Sequence, residues 1–352
     1  MQTQIGTLNV GIDEKRVREI FDEKIAITIK DFSQEAAKIA ITRVEEFEER
    51  LIPRIAELEN GLNSFADPNF QLNLVDAQKS AAGTDRETDY DLLAELLVHR
   101  IKKGEERQIR TDIKKAIEIV GDVSDEALVG LTVAYAVGKF TPTLGDITGG
   151  LDNLNDMFGM LMDGTLPTGY NWIEHLDLLS AIKSNQFQRL SDILEYYVND
   201  GLRGYVDVGI RVNSAEHKQA LEILASNEIP LLGCLVRHSL NPQYLRINIP
   251  SKERDKDGPV IILNHEGLRV YDGLPQQKLN AINSIYDLYE DNEEIRMQNI
   301  DTFRVEWERR PNLKKLSDWW RTIPIFFYHT SIGGTLAHAN AQRCIPDLPT
   351  VY

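Results

Sequence analysis

Two cysteines are all that this 352-residue chain contains, which is too few for a disulfide framework. We therefore expect Cys234 and Cys344 to be free thiols, with a single bridge as the alternative. No apolar run approaches the roughly 20 residues that a membrane-spanning helix needs. The first residues also lack the basic stretch and apolar core of a signal peptide. These absences predict a cytoplasmic protein that has no contact with a membrane.

Positive charge is scarce as well. The chain has 39 Lys and Arg residues against 55 Asp and Glu residues, a net charge of −16. An acidic surface repels phosphate, which argues against broad binding to nucleic acids or anionic membranes. The hydrophobic fraction of 42% is that of a folded protein, so large-scale disorder is excluded.

Assembled catalytic motifs are also missing. The seven histidines form no HExxH pair, Cys234 and His238 alone do not make a zinc site, and no GxSxG turn occurs. The glycine-rich residues 142–169 match neither a phosphate-binding loop nor a dinucleotide fingerprint. We therefore expect no metal, no cofactor and no catalytic residue, and the sequence favours a non-enzymatic protein.

What the sequence does have is helical periodicity. From Ile12 to Ile52 there is no glycine and no proline until Pro53, and apolar residues recur every three or four positions. This pattern predicts one long helix, and Ser33 marks a point where it would break. The apolar positions are Val17, Phe21, Ile25, Ile29, Phe32, Ala36, Ala40, Val44, Phe47 and Leu51.

A helix with one long apolar face needs a partner along its length. Either it packs on the rest of its own chain, or it forms a self-association seam. Ile20, Ile27 and Ile41 widen the apolar face, which favours a bundle over a narrow two-stranded coil. For the second alternative the predicted oligomerisation residues are Val17, Phe21, Ile25, Ile29, Phe32, Val44 and Phe47.

The remaining pattern predicts a mainly α fold: a helical bundle with a long N-terminal helix and a small inserted α/β subdomain. We divide the chain into an N-terminal strand and long helix (1–60), a helical bundle (61–200), the α/β subdomain (201–275) and C-terminal helices packing on the bundle (276–352). Short loops between successive amphipathic segments are typical of an antiparallel bundle. Residues 2–11 carry a weak strand pattern, and residues 172–198 are predicted to be helical.

The α/β subdomain is predicted where the spacing of the apolar residues changes from a helical pattern to a strand pattern. Val206, Val208, Ile210 and Val212 alternate with polar or small residues, as in a strand with one buried face. This strand is followed by a helix, by two further strands at 231–236 and 244–249, and by a hairpin over 260–271. The order β-α-β-β predicts a small sheet.

One segment is basic within this acidic chain. Residues 304–321 hold six basic and three acidic side chains, with Trp307, Trp319 and Trp320 among them. Basic groups neutralise phosphate and indoles stack on bases, so Arg309, Arg310, Lys314 and Trp319 are candidate nucleotide- or nucleic-acid-binding residues. Alternatively, the tryptophans anchor terminal helices in the core while the charges face water.

A second polar cluster lies at a turn between two predicted strands. The cluster consists of Arg237, His238, Tyr244 and Arg246, and Arg237, His238 and Arg246 are the candidate anion-binding residues. The alternative is that these are ordinary turn and strand-edge residues.

The C-terminal sequence is distinctive. It contains Leu316-Ser-Asp-Trp-Trp320, Thr330-Ser-Ile-Gly-Gly334 and Leu336-Ala-His-Ala-Asn340-Ala-Gln-Arg343. This ending resembles that of an uncharacterised bacterial family known by paired locus tags, in which a leucine-threonine-x-valine-glycine turn precedes a helix with Ala-x-x-Asn. Here the turn departs from that pattern. The resemblance extends to Glu45-Glu46-Phe47, Phe65-Ala-Asp-Pro68, Ala77-Gln-Lys79 and Gly204-Tyr-Val-Asp-Val-Gly-Ile210.

The resemblance implies a bacterial cytosolic protein, often encoded near mobile elements or phage-defence genes, and it brings no activity. Our first hypothesis is a non-enzymatic scaffold or sensor that acts by self-association and protein contacts, in anti-phage defence. The alternative is a nucleotide- or nucleic-acid-binding protein, with or without enzymatic activity, that uses residues 304–321.

Overall fold

The computed structural model describes residues 12–30, 32–103, 106–142, 146–229, 234–248, 260–264, 267–271 and 276–348. Helices dominate these residues, so the predicted mainly α fold is confirmed. The weak strand expected over residues 2–11 lies outside them. None of the helices described is both long enough and apolar enough to cross a membrane.

The α-helices are numbered in chain order. They are α1 (Glu14–Thr28), α2 (Gln34–Ala56), α3 (Pro68–Gly83), α4 (Glu87–Lys103), α5 (Arg107–Ile119), α6 (Asp125–Lys139), α7 (Ile147–Leu161), α8 (Asn171–Leu178), α9 (Ile193–Tyr196), α10 (Arg203–Val206), α11 (Ala215–Ser226), α12 (Gln276–Tyr286), α13 (Glu293–Glu308), α14 (Pro311–Trp320) and α15 (Ser331–Cys344). A 3₁₀ helix spans Gly61–Ala66, and a π-helical turn spans Tyr197–Gly201.

The strands are short. They are β1 (Phe140–Pro142), β2 (Ile182–Asn185), β3 (Ile210–Arg211), β4 (Leu235–Arg237), β5 (Tyr244–Ile247), β6 (Val260–Asn264), β7 (Gly267–Tyr271) and β8 (Phe326–His329).

The N-terminal apolar stripe is divided between two helices. The Asp13 carboxylate caps α1 by accepting from the amide of Arg16 at 2.8 Å, and the Ser33 hydroxyl caps α2 by accepting from the amide of Ala36. Both caps satisfy amides that have no partner inside the helix. The break expected at Ser33 is therefore confirmed, and the stripe is two helices joined by a short turn.

One apolar core unites these helices with the rest of the body. Helix α1 packs on α3, α2 packs on α3 and α4, and the last helix, α15, packs on α4, α5 and α6. Ala337, Ala339 and Ala341 of α15 are fully buried. Their small side chains let α15 approach its neighbours closely, so the C-terminal helix completes the body.

Residues 172–198 depart from the helical expectation. They contain α8 and then β2, which pairs antiparallel with β8, Ile182 lying opposite His329. Strand β2 has four residues, and its partner lies more than a hundred positions later. So short a segment carries too little alternation to be distinguished from helix.

The α/β subdomain has the predicted β-α-β-β order, formed by β3, α11, β4 and β5. Its sheet order is β3-β5-β4, with antiparallel pairs. The first strand is shorter than predicted, because residues 203–206 form the helical turn α10. Tyr205 and Val206 are neighbours and both are buried, so this stretch has no solvent-facing side that period-2 alternation would require.

A glycine turns the chain from α10 into β3. Gly209 has a φ of +85°, and a Cβ atom at this position would overlap the carbonyl of Leu245. Only glycine fits such a close approach without strain.

The hairpin expected over 260–271 is confirmed, with Val260 paired to Tyr271. It does not join the subdomain sheet. Instead β6 pairs in parallel with β1 of the helical body. Helix α12, which we assigned to the C-terminal helices, packs on α11 and supplies Ala281, Ile282 and Ile285 to the subdomain core.

Candidate functional site

Four of the seven predicted oligomerisation residues lie inside the body. Val17, Phe21, Val44 and Phe47 are fully buried, and the rings of Phe21 and Phe47 lie 6.1 Å apart. They cover α3 and α4 of the same chain. A seam between copies built from these four residues would require the core to open, so the first alternative, packing within the chain, applies to them. Ile25 and Ile29 are half-buried against the same core.

The end of α1 and the start of α2 differ from the rest of the stripe. Ile27, Phe32 and Ile39 are 56%, 45% and 56% exposed. Lys24, Lys30 and Lys38 lie in the same stretch, and none forms an ion pair with a carboxylate of the residues described. We call these six residues the junction surface. Phe32 was among the predicted oligomerisation residues, whereas Ile27 and Ile39 were not.

The predicted basic segment is anchored in the body by Arg310. This side chain is 8% exposed. Its Nε donates to the Asp152 carboxylate at 2.7 Å, and its Nη2 donates to the carbonyl of Thr148 at 3.1 Å. A buried arginine with these partners joins the start of α14 to α7, and it is not available to a ligand.

The indoles of this segment are also turned inward. The Trp319 N–H donates to the carbonyl of Pro167 at 2.8 Å, and the Trp307 N–H donates to Ser317 Oγ at 2.8 Å. Both side chains are buried, so neither face is open for stacking on a base. The two remaining candidates, Arg309 and Lys314, are exposed and pair with Glu306 and Asp318. The structure therefore does not bring the four residues together as one exposed basic and aromatic surface.

The second predicted cluster separates in a similar way. Arg246 is buried, its Nη1 donates to the carbonyls of Gly204 at 3.1 Å and Ile247 at 2.9 Å, and its guanidinium lies over the Tyr205 ring. Burial lowers the pKa of Arg246 from its ordinary value. Arg237, by contrast, is exposed and donates to the carbonyl of Pro242.

His238 is buried beside Arg246. Its Nε2 lies 3.0 Å from the carbonyl of Asp207, and its Nδ1 accepts from the amide of Leu240. These partners require a neutral ring with the proton on Nε2. Burial, together with the charge of Arg246, lowers the pKa of His238 to about 4. His238 and Arg246 thus fix the joint between the subdomain and the body, where an anion site was one of the two alternatives.

A cleft of about 640 Å³ opens beside this joint. Arg203 and Arg296 line it and flank the Asp207 carboxylate at 3.4 Å and 3.9 Å. Burial raises the pKa of Asp207, and the two arginines oppose that shift. Sequence reasoning missed this group, because Asp207 and Arg296 come from distant segments whose convergence leaves no pattern in the sequence.

Further histidines lie inside the body. His99 Nε2 is hydrogen-bonded to Gln342 Oε1, and its ring lies 5.6 Å from that of His338. Burial lowers the pKa of His99 to about 3 and that of His329 to about 4. Within the described ranges, no three His, Cys, Asp or Glu side chains are grouped so that they could hold a metal ion. Cys234 and Cys344 are both free.

A protein-family model matches residues 11–349, and its "-like" description, in the style of a locus tag, states no activity. The chain belongs to this family. The match spans nearly the whole sequence, including the body, the subdomain and the C-terminal helix, so the resemblance drawn from the motifs is confirmed. No curated protein and no solved structure matches the chain.

Proposed function

We propose that this chain is a non-enzymatic scaffold or sensor that acts by binding proteins, including further copies of itself, through the junction surface. The observation that supports this is the exposure of Ile27, Phe32 and Ile39 in one short stretch of the chain. Single exposed apolar residues are common, whereas a group of them in one short stretch is typical of an interaction surface.

The location of these residues adds to the argument. Phe32 lies near the middle of the apolar stripe, and most of the stripe residues on either side of it pack inside the chain. A partner at the junction surface would therefore cover apolar residues that lie next to an existing core. Aromatic and aliphatic side chains are also common anchors of designed protein interfaces.

The charges favour a second copy as the partner. Lys24, Lys30 and Lys38 lie in the same stretch of the chain as the apolar residues, which also contains Glu35, while the chain as a whole carries a net charge of −16. Lysines without an ion pair would be attracted to the acidic surface of another copy. Contacts of this kind weaken as salt screens them, so association should have both an apolar and a salt-sensitive component.

The cellular setting is part of the same proposal. The family resemblance suggests a bacterial cytoplasmic protein of a phage-defence system, in which assembly would be the output. The alternative, a nucleotide site in residues 304–321, has less support, because Arg310 and Trp319 are buried.

Light scattering on protein eluting from a gel-filtration column tests the proposal. We expect the unaltered chain to elute above its monomer mass of 40.0 kDa. The triple variant Ile27→Ser, Phe32→Ser, Ile39→Ser should elute as a monomer. All three side chains are well exposed, so the folded state should be retained.

A matched control comes from the same protein. Leu72→Ser and Val305→Ser remove exposed apolar side chains elsewhere and should leave the mass of the assembly unchanged. A monomeric unaltered chain, or an assembly that persists in the triple variant, would rule out the junction surface.

A further inference from the structure

A second cavity on the body shares no lining residue with the junction surface or with the cleft beside the subdomain. It has a volume of about 540 Å³ and is enclosed by the first turn of α5, the last turn of α6, and the segment that leads from β8 into α15. Its lining includes Tyr135, Lys139, His329, Ser331 and Thr335. The volume is in the range of small-molecule sites.

The N-terminus of α15 opens into this cavity. Thr330 caps the helix, its Oγ1 accepting from the amide of Gly333 at 3.1 Å. The amides of Ser331 and Ile332 have no acceptor within the part of the chain that the structure describes. Amides at the start of a 14-residue helix carry partial positive charge and bind anionic oxygens well.

Independent evidence comes from the side chains. Thr335 is only 5% exposed and lines the cavity, yet its hydroxyl has no hydrogen-bond partner among the described residues. Most hydroxyls of buried residues are hydrogen-bonded, so the Thr335 hydroxyl is available to a molecule in the cavity. The Tyr135 hydroxyl, on the facing helix, has no described partner either.

The remaining residues that line the cavity determine which kind of molecule could bind there. His329 Nε2 lies 3.2 Å from the carbonyl of Leu131 and donates to it, so Nδ1 keeps a lone pair. Lys139 forms no ion pair with a described carboxylate. Asp112 and Glu106 are the acidic groups on the α5 side, and Asp112 already accepts from the Ser331 hydroxyl at 2.9 Å.

We propose that this cavity binds a small molecule through an anionic oxygen group, a phosphate or a carboxylate, held by the first-turn amides of α15, Lys139 and the Thr335 hydroxyl. The Tyr135 hydroxyl and His329 Nδ1 contact the rest of the molecule, and Nδ1 accepts a hydrogen bond from it. This site is independent of assembly through the junction surface.

Thermal unfolding of the full-length protein, with inorganic phosphate and with acetate as probes, tests this site. Chloride at matched ionic strength is the reference. A probe at about ten times its Kd should raise the unfolding midpoint by about 2 °C. The probe that stabilises the protein identifies the anionic group as a phosphate or a carboxylate.

Variants distinguish binding from the general stabilisation that phosphate gives to folded proteins. Lys139→Gln and Thr335→Val should lose the probe-dependent rise. Lys183→Gln, at an exposed lysine of β2, should keep it. Equal rises in all variants, or no rise above chloride in the unaltered chain, would overturn the proposal. Lys139→Gln is exposed and should fold, so the test does not depend on the buried threonine.

Discussion

The helical body and the α/β subdomain are held together by different means. The body is one continuous apolar core, in which Phe47, Trp307 and many smaller side chains are fully buried. The subdomain has a small apolar core, and its joint to the body is polar. There Arg246 donates to the carbonyl of Gly204, and His238 Nε2 lies 3.0 Å from the carbonyl of Asp207.

This difference has a physical consequence. Apolar burial stabilises the body in proportion to the area removed from water, and it tolerates changes of charge elsewhere. A polar joint stabilises the fold only while each buried polar group keeps its hydrogen-bond partner. The subdomain should therefore be more sensitive to single polar substitutions and to acid, and the body more sensitive to lost volume.

The largest effect is expected in the body. Trp307→Ala removes a fully buried indole that also donates to the carbonyl of Leu313, and it should lower the free energy of unfolding by about 3–5 kcal/mol. Urea denaturation measures this. Leu72→Ala, at an exposed position, should change it by less than about 0.5 kcal/mol. A small loss for Trp307→Ala would contradict a closely packed body.

The joint should be the next most sensitive region. Arg246→Leu leaves the carbonyls of Gly204 and Ile247 without their donor, and we expect a loss of about 2–4 kcal/mol. Hydrogen exchange should increase mainly in β3, β4 and β5. Exchange that increases equally in α2 and α4 would mean that the joint and the body unfold as one unit.

Acid should weaken the joint through His238. The unfolded imidazole takes up a proton below its ordinary pKa of 6.5, whereas the folded one does so only near its pKa of about 4. The contribution of the neutral His238 ring to the free energy of unfolding is therefore fully present above pH 6.5, and it is lost as the pH falls from 6.5 toward 4.

At pH 5 this loss amounts to about 2 kcal/mol relative to pH 7. In His238→Gln the fall in stability between pH 7 and pH 5 should be smaller than in the unaltered chain by that amount. Urea denaturation at the two pH values measures the difference, and identical pH profiles would show that His238 is not a neutral buried group.

The smallest effect is expected at the exposed basic residues. Lys314 pairs with Asp318 at 3.1 Å on the solvent side of α14, and exposed pairs of this kind contribute less than about 0.5 kcal/mol. Lys314→Gln should therefore leave the denaturation midpoint nearly unchanged. A loss comparable to that of Arg246→Leu would mean that exposed pairs matter as much as the buried joint.

Much of the body could be predicted from the sequence, because its helices are long and their apolar faces are regular. The stripe from Val17 to Leu51, the cap at Ser33 and the hairpin over 260–271 all follow local patterns. Strand β2 and the helical turn α10 could not be predicted, since each is four residues long and depends on contacts with distant segments.

The functional residues were harder to predict for the same reason. Residue type marked Arg246, His238 and Trp319 as notable, but the choice between a binding role and a structural role depends on their burial, which the tertiary fold determines. Phe32 was identified by periodicity, and its exposure became visible only once the turn between α1 and α2 was located. The cavity at α15 joins residues of three segments, so no local pattern indicates it.

Sedimentation equilibrium on the unaltered full-length chain, from nanomolar to high micromolar concentration, tests the central claim most directly. Our account predicts a mass that rises above 40.0 kDa with concentration, and a weaker rise at high salt. A mass that stays at 40.0 kDa over the whole range would contradict self-association through the junction surface.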